Sequence, residues 1–299
     1  MKKIVCLLAA LLFLFSGCAG KEETAPVFIC TATKQTFFTN GKLTGTDAYY
    51  YTYNAQRLVT DGERWSDGIL TEKSHWEYDE FQNPIRITHE RDEAVEVNEY
   101  KNILDGQGRI LRQETWVDGK LSMLREIAYN SQGKETTHLI TSWYDWQEEP
   151  DSQNYSMTYD WKGDLSRKVL NWGDNRGVVV WEYKDGLCVR NTTYEADTIT
   201  ITQYWEYDYD QKERRIRESR YDENGNLELY HEYVYDDEAR TMTRTCYLAD
   251  GTVDNHSDVY QYDEYGNQIL LEKYRDGEVF WRVEYTYEMW DNTSEKNNS

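Results

Sequence analysis

The sequence predicts an all-β fold: a long antiparallel meander of about ten two-stranded repeats, curling into a spiral sheet. Three observations predict it. An aromatic anchor followed by an Asp-type turn recurs at Tyr53, Tyr78, Leu104, Tyr129, Tyr159, Tyr183, Tyr207, Tyr235, Tyr262 and Tyr287, at spacings of 24–30 residues. Between the anchors stand Asx-Gly pairs, the strongest short-range hairpin signal: Asn40-Gly41, Asp67-Gly68, Asp118-Gly119, Asp250-Gly251 and Asp276-Gly277. The intervening runs alternate with period two, and aromatics make up 15% of the chain, with 26 Tyr and 11 Trp against 3 Pro. Bulky, partly polar rings suit a half-buried pleated surface.

Each unit has the same parts. The anchor opens into a turn such as Asp263-Glu-Tyr-Gly266-Asn267, Asp105-Gly-Gln-Gly108-Arg109 or Asn130-Ser-Gln-Gly133-Lys134. Asp or Asn bonds the backbone ahead, and Gly accepts positive φ. Alternation then assigns faces. Val279, Trp281, Val283, Tyr285 and Tyr287 share one side against Phe280, Arg282, Glu284, Thr286 and Glu288. Ile199, Ile201, Trp205 and Tyr207 do the same, as do Leu121, Met123, Ile127 and Tyr129. About twenty strands result. An open sheet rarely exceeds about ten strands without curling, so the aromatic face must be hidden by a curled sheet or, alternatively, a barrel or propeller. One unit is long: Gln147–Asn154, with Pro150, reads as an inserted loop.

The chain divides into an export segment 1–17, a tether 18–27, a repeat domain 28–290 and a disordered tail 291–299. Lys2 and Lys3 precede an apolar run, Ile4–Phe15, too short for a membrane span of roughly 20 residues. Phe15-Ser16-Gly17-Cys18 follows and resembles the lipobox of bacterial lipoproteins, with Phe15 where Leu is usual. That resemblance implies cleavage before Cys18 and a diacylglyceryl group on its sulfur. The membrane is then a partner through acyl chains, and the protein is extracytoplasmic, on a cell surface or facing a periplasm. The formal charge of −22 becomes −24 once Lys2 and Lys3 leave. Such charge argues against nucleic acid, which needs clustered Lys and Arg. Cys30, Cys188 and Cys246 remain in the repeats, fit no metal or redox spacing, and read as small strand residues or one disulfide pair.

Chemistry is sparse. His75, His89, His138, His231 and His256 lie in different units and form no paired-ligand motif. Neither a nucleophile elbow nor a phosphate loop occurs. Asp222-Glu-Asn224-Gly225-Asn226 superficially suggests a calcium loop, but its Gly is misplaced and a hairpin turn fits better. No catalytic residue, metal or cofactor is expected. The remaining candidates are Trp143, Tyr144, Trp146 and Trp161, near the inserted loop, which can pack in the sheet or stack on a sugar or peptide.

Tyr-x-Tyr-Asp-x-x-Gly-Asn at Tyr260–Asn267, followed by an apolar strand, resembles the YD repeats of Rhs-type bacterial surface and toxin proteins, with weaker copies at Tyr233–Met242 and Trp76–Ile85. The resemblance implies a curled β-sheet and a surface location, without an activity. The expected function is that of a non-enzymatic, lipid-anchored envelope protein binding a protein or glycan partner. The alternatives are a carbohydrate-active or carbohydrate-binding accessory lipoprotein and an envelope assembly component.

Overall fold

The computed structural model describes residues 27–290, apart from 93, 145, 174 and 175. Cys18 and the segments 1–17 and 291–299 lie outside the described residues. Twenty strands follow in order: β1 Phe28–Thr39, β2 Lys42–Tyr53, β3 Val59–Ser66, β4 Ile69–Tyr78, β5 Pro84–Arg91, β6 Ala94–Leu104, β7 Ile110–Val117, β8 Lys120–Tyr129, β9 Glu135–Ser142 and β10 Asp151–Tyr159. The second half comprises β11 Leu165–Asn171, β12 Val178–Lys184, β13 Leu187–Tyr194, β14 Ile201–Tyr209, β15 Arg215–Asp222, β16 Leu227–Asp236, β17 Thr241–Leu248, β18 Val253–Tyr262, β19 Gln268–Arg275 and β20 Glu278–Met289.

Each strand pairs antiparallel with the next, and β1 pairs with β20 from Phe28↔Met289 to Phe37↔Trp281. The sheet is therefore a closed barrel, and the expected open spiral is corrected. Pairing the first strand with the last satisfies both free edges at once, which a spiral leaves unpaired. No strand leaves the meander to form a four-stranded blade, so the propeller alternative does not apply. The even-to-odd turns lie at one end of the barrel, here the Asx rim, together with the start of β1 and the end of β20. The odd-to-even turns form the opposite hairpin rim.

At the Asx rim one turn recurs. Oδ1 of Asn54, Asp79, Asp105, Asn130, Asp160, Asp210 and Asp263 each accepts two backbone N–H groups, two and four residues on, at 2.8–3.0 Å. The residue before the last has positive φ. Gly108 holds it at 79°, with the Phe81 ring where a Cβ would sit, yet Gln82 (67°) and Glu213 (61°) hold it without Gly. Two carboxylate-bonded amides outweigh the modest cost of αL for a polar residue.

Leaving this turn, most odd strands bulge. Tyr53 pairs with Val59, Tyr129 with Glu135 and Tyr209 with Arg215, each across a register shift. The residue before the bulge lies beyond the ladder with the following strand, so its carbonyl has no strand partner. The tyrosine near the end of that following strand supplies one. Its hydroxyl donates from Tyr53 to Cys30 O (2.5 Å), Tyr78 to Val59 O (2.8 Å), Tyr129 to Ile110 O (3.1 Å), Tyr159 to Glu135 O (2.6 Å), Tyr209 to Cys188 O (2.7 Å) and Tyr235 to Arg215 O (2.9 Å). Where Leu104 replaces the tyrosine, Asn102 Nδ2 donates to Pro84 O at 3.1 Å instead. At these six positions the aromatic is thus a cap on a bulge carbonyl.

The expected turn positions need three corrections. Tyr209, not Tyr207, is the capping residue of β14, because Asp210 forms the turn and Asp208 stays in the strand. Asp250-Gly251 is not a two-residue hairpin: Leu248 N donates to Thr252 O, leaving a wider turn with only Gly251 at positive φ. Ile199 lies outside β14, in the 195–200 turn that Asp197 holds through the amides of Ile199 and Thr200.

Burial separates the two faces. Tyr49, Tyr51 and Tyr53 are half-buried, while Tyr50 and Thr52 between them are exposed. Val283 is buried and Tyr285 and Tyr287 half-buried, alternating with exposed Glu284, Thr286 and Glu288. A closed sheet crowds side chains on its concave side, so the tyrosine-bearing face is the inner one. Each strand contacts only the strands beside it, and no large side chain is completely enclosed among the described residues. The barrel therefore surrounds a lumen and has no packed centre.

Tyr78→Phe removes one capping donor and leaves the Val59 carbonyl unmatched. It is expected to lower stability to chemical denaturation by about 1 kcal/mol, whereas Tyr50→Phe on the outer face leaves the midpoint unchanged. Equal effects from the two would remove the capping role.

Candidate functional site

The four aromatics expected to cluster are split between the two rims. Trp143, Tyr144 and Trp146 lie in the loop between β9 and β10, at the hairpin rim. Trp161 follows Asp160 in the turn beyond the other end of β10, a strand of nine residues, so about 30 Å of sheet separates it from the other three. It is 89% exposed, with the Lys162 ammonium 5.6 Å from its ring centroid. The sequence places these residues near each other along the chain, but a strand carries its two ends to opposite rims.

The expected loop over Gln147–Asn154 is also shorter than anticipated. Asp151–Asn154 belong to β10 and pair with Leu139–Ser142. Their polar side chains hide this, since ladder bonds are made by the backbone whatever the side chain. Pro150 lies just before the strand and removes no ladder donor from it. Within the loop, Trp143 N donates to Ser122 O at 2.9 Å and Gln147 N to Tyr144 O at 3.0 Å. The Tyr144 and Trp146 rings stack, with centroids 5.4 Å apart and planes 24° from parallel. They are 43% and 76% exposed.

A neighbouring loop, between β11 and β12, adds a residue the sequence reading did not single out, Trp172. Arg176 of this loop pairs with Asp151 at the start of β10 (Nη1 to Oδ2, 3.0 Å) and also donates to the Trp172 carbonyl. Gly177 has φ 93°, and a Cβ there would lie 2.4 Å from Tyr194 O, so the loop is fixed against β13 by a position only Gly can occupy. The available signal was the broken hairpin grammar: Trp172–Gly177 has no adjacent Asx-Gly pair.

The inner wall carries paired charges. Arg64 meets Asp47 at 2.9 Å, Arg91 meets Glu72 at 2.7 Å and Arg244 meets buried Asp258 at 2.5 Å. Around Glu218, Arg215 Nη1 donates to Oε2 at 2.8 Å, and His231 Nδ1 lies 2.8 Å from Oε1 without being aligned to donate. Burial pushes the Glu218 carboxyl up, but contact with His231, Tyr233 and Arg215 outweighs burial and holds it below its ordinary value. Burial and the Glu218 charge push the Tyr233 phenol up to about 12. Each of the five histidines faces a carboxylate, from 2.7 Å (His75–Asp61) to 3.4 Å (His256–Asp254), on separate parts of the wall. No three His, Cys, Asp or Glu side chains among the described residues are grouped to hold a metal. Cys30, Cys188 and Cys246 are free thiols on β1, β13 and β17, which are not neighbours in the sheet. Asp222 Oδ1 accepts the amides of Asn224 and Asn226, so this segment is a hairpin turn. A cleft of about 450 Å³ at the Asx rim is lined by Glu238, Arg240, Tyr262 and Tyr265.

No protein-family model and no curated protein matches the chain. Solved structures resemble it distantly. A porin-like protein from Bacteroides uniformis is 12% identical, with a TM-score of 0.33, over 87% of this chain and 96% of that one. The Photorhabdus luminescens Tc holotoxin pore is 11% identical, with a TM-score of 0.28, over 89% of this chain and 18% of that one. The TcdB2–TccC3–TEV crystal structure gives 11% identity and a TM-score of 0.26, again over 18% of its chain. This chain thus spans less than a fifth of the toxin chains it matches. Likenesses at these scores carry no argument about fold or activity.

A carboxyl held below its ordinary value stabilises the folded state fully above its unfolded value, near 4.5 for Glu218, and that contribution is lost as pH falls through the lowered folded value. Glu218→Gln is expected to flatten the acid limb of stability below that pH and to cost about 1–3 kcal/mol at neutral pH, because Arg215 and His231 lose their charged partner. Circular dichroism across an acid titration reads both, and an unchanged acid limb would remove Glu218 as a stabilising group.

Proposed function

We propose that this chain is a non-enzymatic, lipid-anchored protein of the cell envelope, displayed outside the cytoplasmic membrane and binding a protein or glycan partner through its barrel. The observation that carries the reading is Phe15-Ser16-Gly17-Cys18 behind a basic and then apolar leader. Two acyl chains on one cysteine hold a protein stably on a bilayer, at about 0.8 kcal/mol per buried methylene. The position of the barrel's first strand supports the reading. β1 starts at the Asx rim, ten residues after Cys18, so a tether of at most about 35 Å joins that rim to the membrane. The hairpin rim, with its aromatic loop, then points away from the bilayer.

The outer wall suits a barrel standing in water. Glu77, Lys101, Glu126, Glu206 and Glu284 are exposed on strands around the barrel, where a lipid-facing wall needs an apolar band about 25 Å tall. The inner-wall arginines and carboxylates are spent on each other, and this supports binding over catalysis. A carbohydrate-binding accessory role is the second reading, favoured by the exposed Tyr144–Trp146 stack. An assembly component would have to use its loops, because the β1–β20 seam consumes both sheet edges that strand addition requires.

Metabolic labelling with a fatty acid tests the anchor. The natural chain is expected to incorporate label and Cys18→Ala to lose it; equal labelling of the two would sink the lipoprotein reading.

A further inference from the structure

Building on the binding reading, we propose that the inner wall over β8–β11 is a binding site for an acidic oligosaccharide, with Arg125 and Lys168 as its charge contacts. Elsewhere on the inner wall the arginines are matched: Arg64, Arg91, Arg215 and Arg244 each meet a carboxylate. Arg125 and Lys168 depart from this, for no carboxylate among the described residues pairs with either. Both are half-buried. Alternation from the capping tyrosines places both on the lumen face: Arg125 shares the side of Ile127 and Tyr129, and Lys168 lies opposite Met157, on the side of Tyr159.

A belt of contacts joins them across the wall. Gln113, 3% exposed on β7, accepts from Arg125 Nη1 at 3.2 Å and donates to Asn102 Oδ1 at 2.9 Å. Arg125 Nε donates to His138 Nε2 at 3.2 Å, which places the His138 proton on Nδ1, 3.1 Å from Glu135 Oε1. That spends Glu135, the carboxylate in contact with the belt. The His138 ring meets Tyr155 at 5.8 Å, and Lys168 Nζ lies 4.9 Å from the Tyr155 ring and 5.6 Å from that of Trp181. The amide and imidazole acceptors thus each already receive a hydrogen bond. What stays open is N–H: the rest of the Arg125 guanidinium, and the Lys168 ammonium, whose neighbours are ring faces. A half-buried wall that offers donors and positive charge fits an oxyanion.

The lumen gives access. Barrels of about 16–18 strands already leave an aqueous channel, and in this longer meander each strand contacts only the strands beside it. Arg125 and Lys168 stand three strands apart, roughly 14 Å across the sheet, so a chain carrying repeated charge spans them where one small anion does not. Hydrogen bonding selects the kind of chain. An acidic peptide brings a backbone N–H at every residue, for which the belt keeps no acceptor, whereas sugar hydroxyls accept as well as donate. The formal charge of −22 opposes an anion at long range. At physiological ionic strength that field is screened over about 8 Å, and the contact itself is decided by the groups within this reach.

The test is titration of the full chain in detergent micelles with uronate oligomers, sulfated hexose oligomers, neutral hexose oligomers and an oligoglutamate, read by calorimetry. Saturable binding of an acidic oligosaccharide is expected, weakened by added salt, and the first two probes tell carboxylate from sulfate as the anion taken. The neutral oligomer and the oligoglutamate are expected to stay unbound. Arg125→Gln and Lys168→Gln are each expected to weaken binding about tenfold. Arg167→Gln, which removes the same charge from the exposed outer face beside Lys168, is expected to leave it unchanged. Circular dichroism checks that each variant retains its sheet; should Arg125→Gln lose it, Lys168→Gln decides alone. The proposal is overturned if the folded chain binds no acidic oligosaccharide, if the neutral oligomer binds equally, if Lys168→Gln binds as the natural chain does, or if Arg167→Gln weakens binding as much. Binding of the oligoglutamate alone overturns this site's ligand while leaving the wider binding reading intact, and none of these results depends on acylation at Cys18.

Discussion

A turn that bonds two amides to one carboxylate or amide oxygen leaves the outgoing strand one residue out of step. The resulting bulge takes a carbonyl out of the ladder on its far side. In a wall one strand thick, that carbonyl must find a donor within reach or stay unmatched. The tyrosine hydroxyl on the next strand of the chain is that donor, and the geometry of the Asx rim depends on the bond. Where the tyrosine is present, the bond ties one Asx turn to the previous one at the same height and places a large ring on the inner face. The Asn102–Pro84 bond shows that the requirement is for a donor, not for a particular side chain.

Further contacts join the Asx turns around the rim. Asn83 Nδ2 donates to Gly108 O at 3.3 Å, Lys134 donates to Gly163 O, and Lys212 and Arg214 both reach Asp237 at 2.6 Å. The Tyr265 ring lies 4.5 Å from Phe28 and carries the series across the seam into the first strand. The Asp237 pairs are exposed and contribute little, whereas the Asn83 and Lys134 bonds are part-buried. Their value is geometric, because each turn meets the next in chain order. The inner wall holds the capping tyrosines, and ion pairs occur on both walls, Arg86–Glu77 and Arg190–Glu206 being on the outer one.

Much of this is local and was legible in the sequence. Asx turns, hairpins and alternation depend on a few adjacent residues, and they recur often enough to average out exceptions. Closure was not legible, because it is decided by whether accumulated twist brings Phe28–Phe37 alongside Trp281–Met289, and no short stretch encodes that sum. Tyr207-Asp208 misled because it has the letters of the anchor without the turn. The aromatic cluster was half legible: Trp143, Tyr144 and Trp146 share a loop, but Trp161 lies one strand away, which in a barrel is the far end. Trp172 needed the third dimension, since only the sheet brings its loop beside β10.

The seam joins the first strand to be synthesised with the last. Every other pairing is a hairpin between consecutive strands and can form as soon as its second strand is available. Closure alone spans the whole length of the domain, and long-range pairing is slow relative to local hairpins. A chain delivered amino end first therefore passes through a stage in which nearly all of the wall is built while β1 still presents an unpaired edge. During that stage the chain's formal charge of −22 is its own safeguard, since like charge keeps unfinished barrels from adding strands to each other.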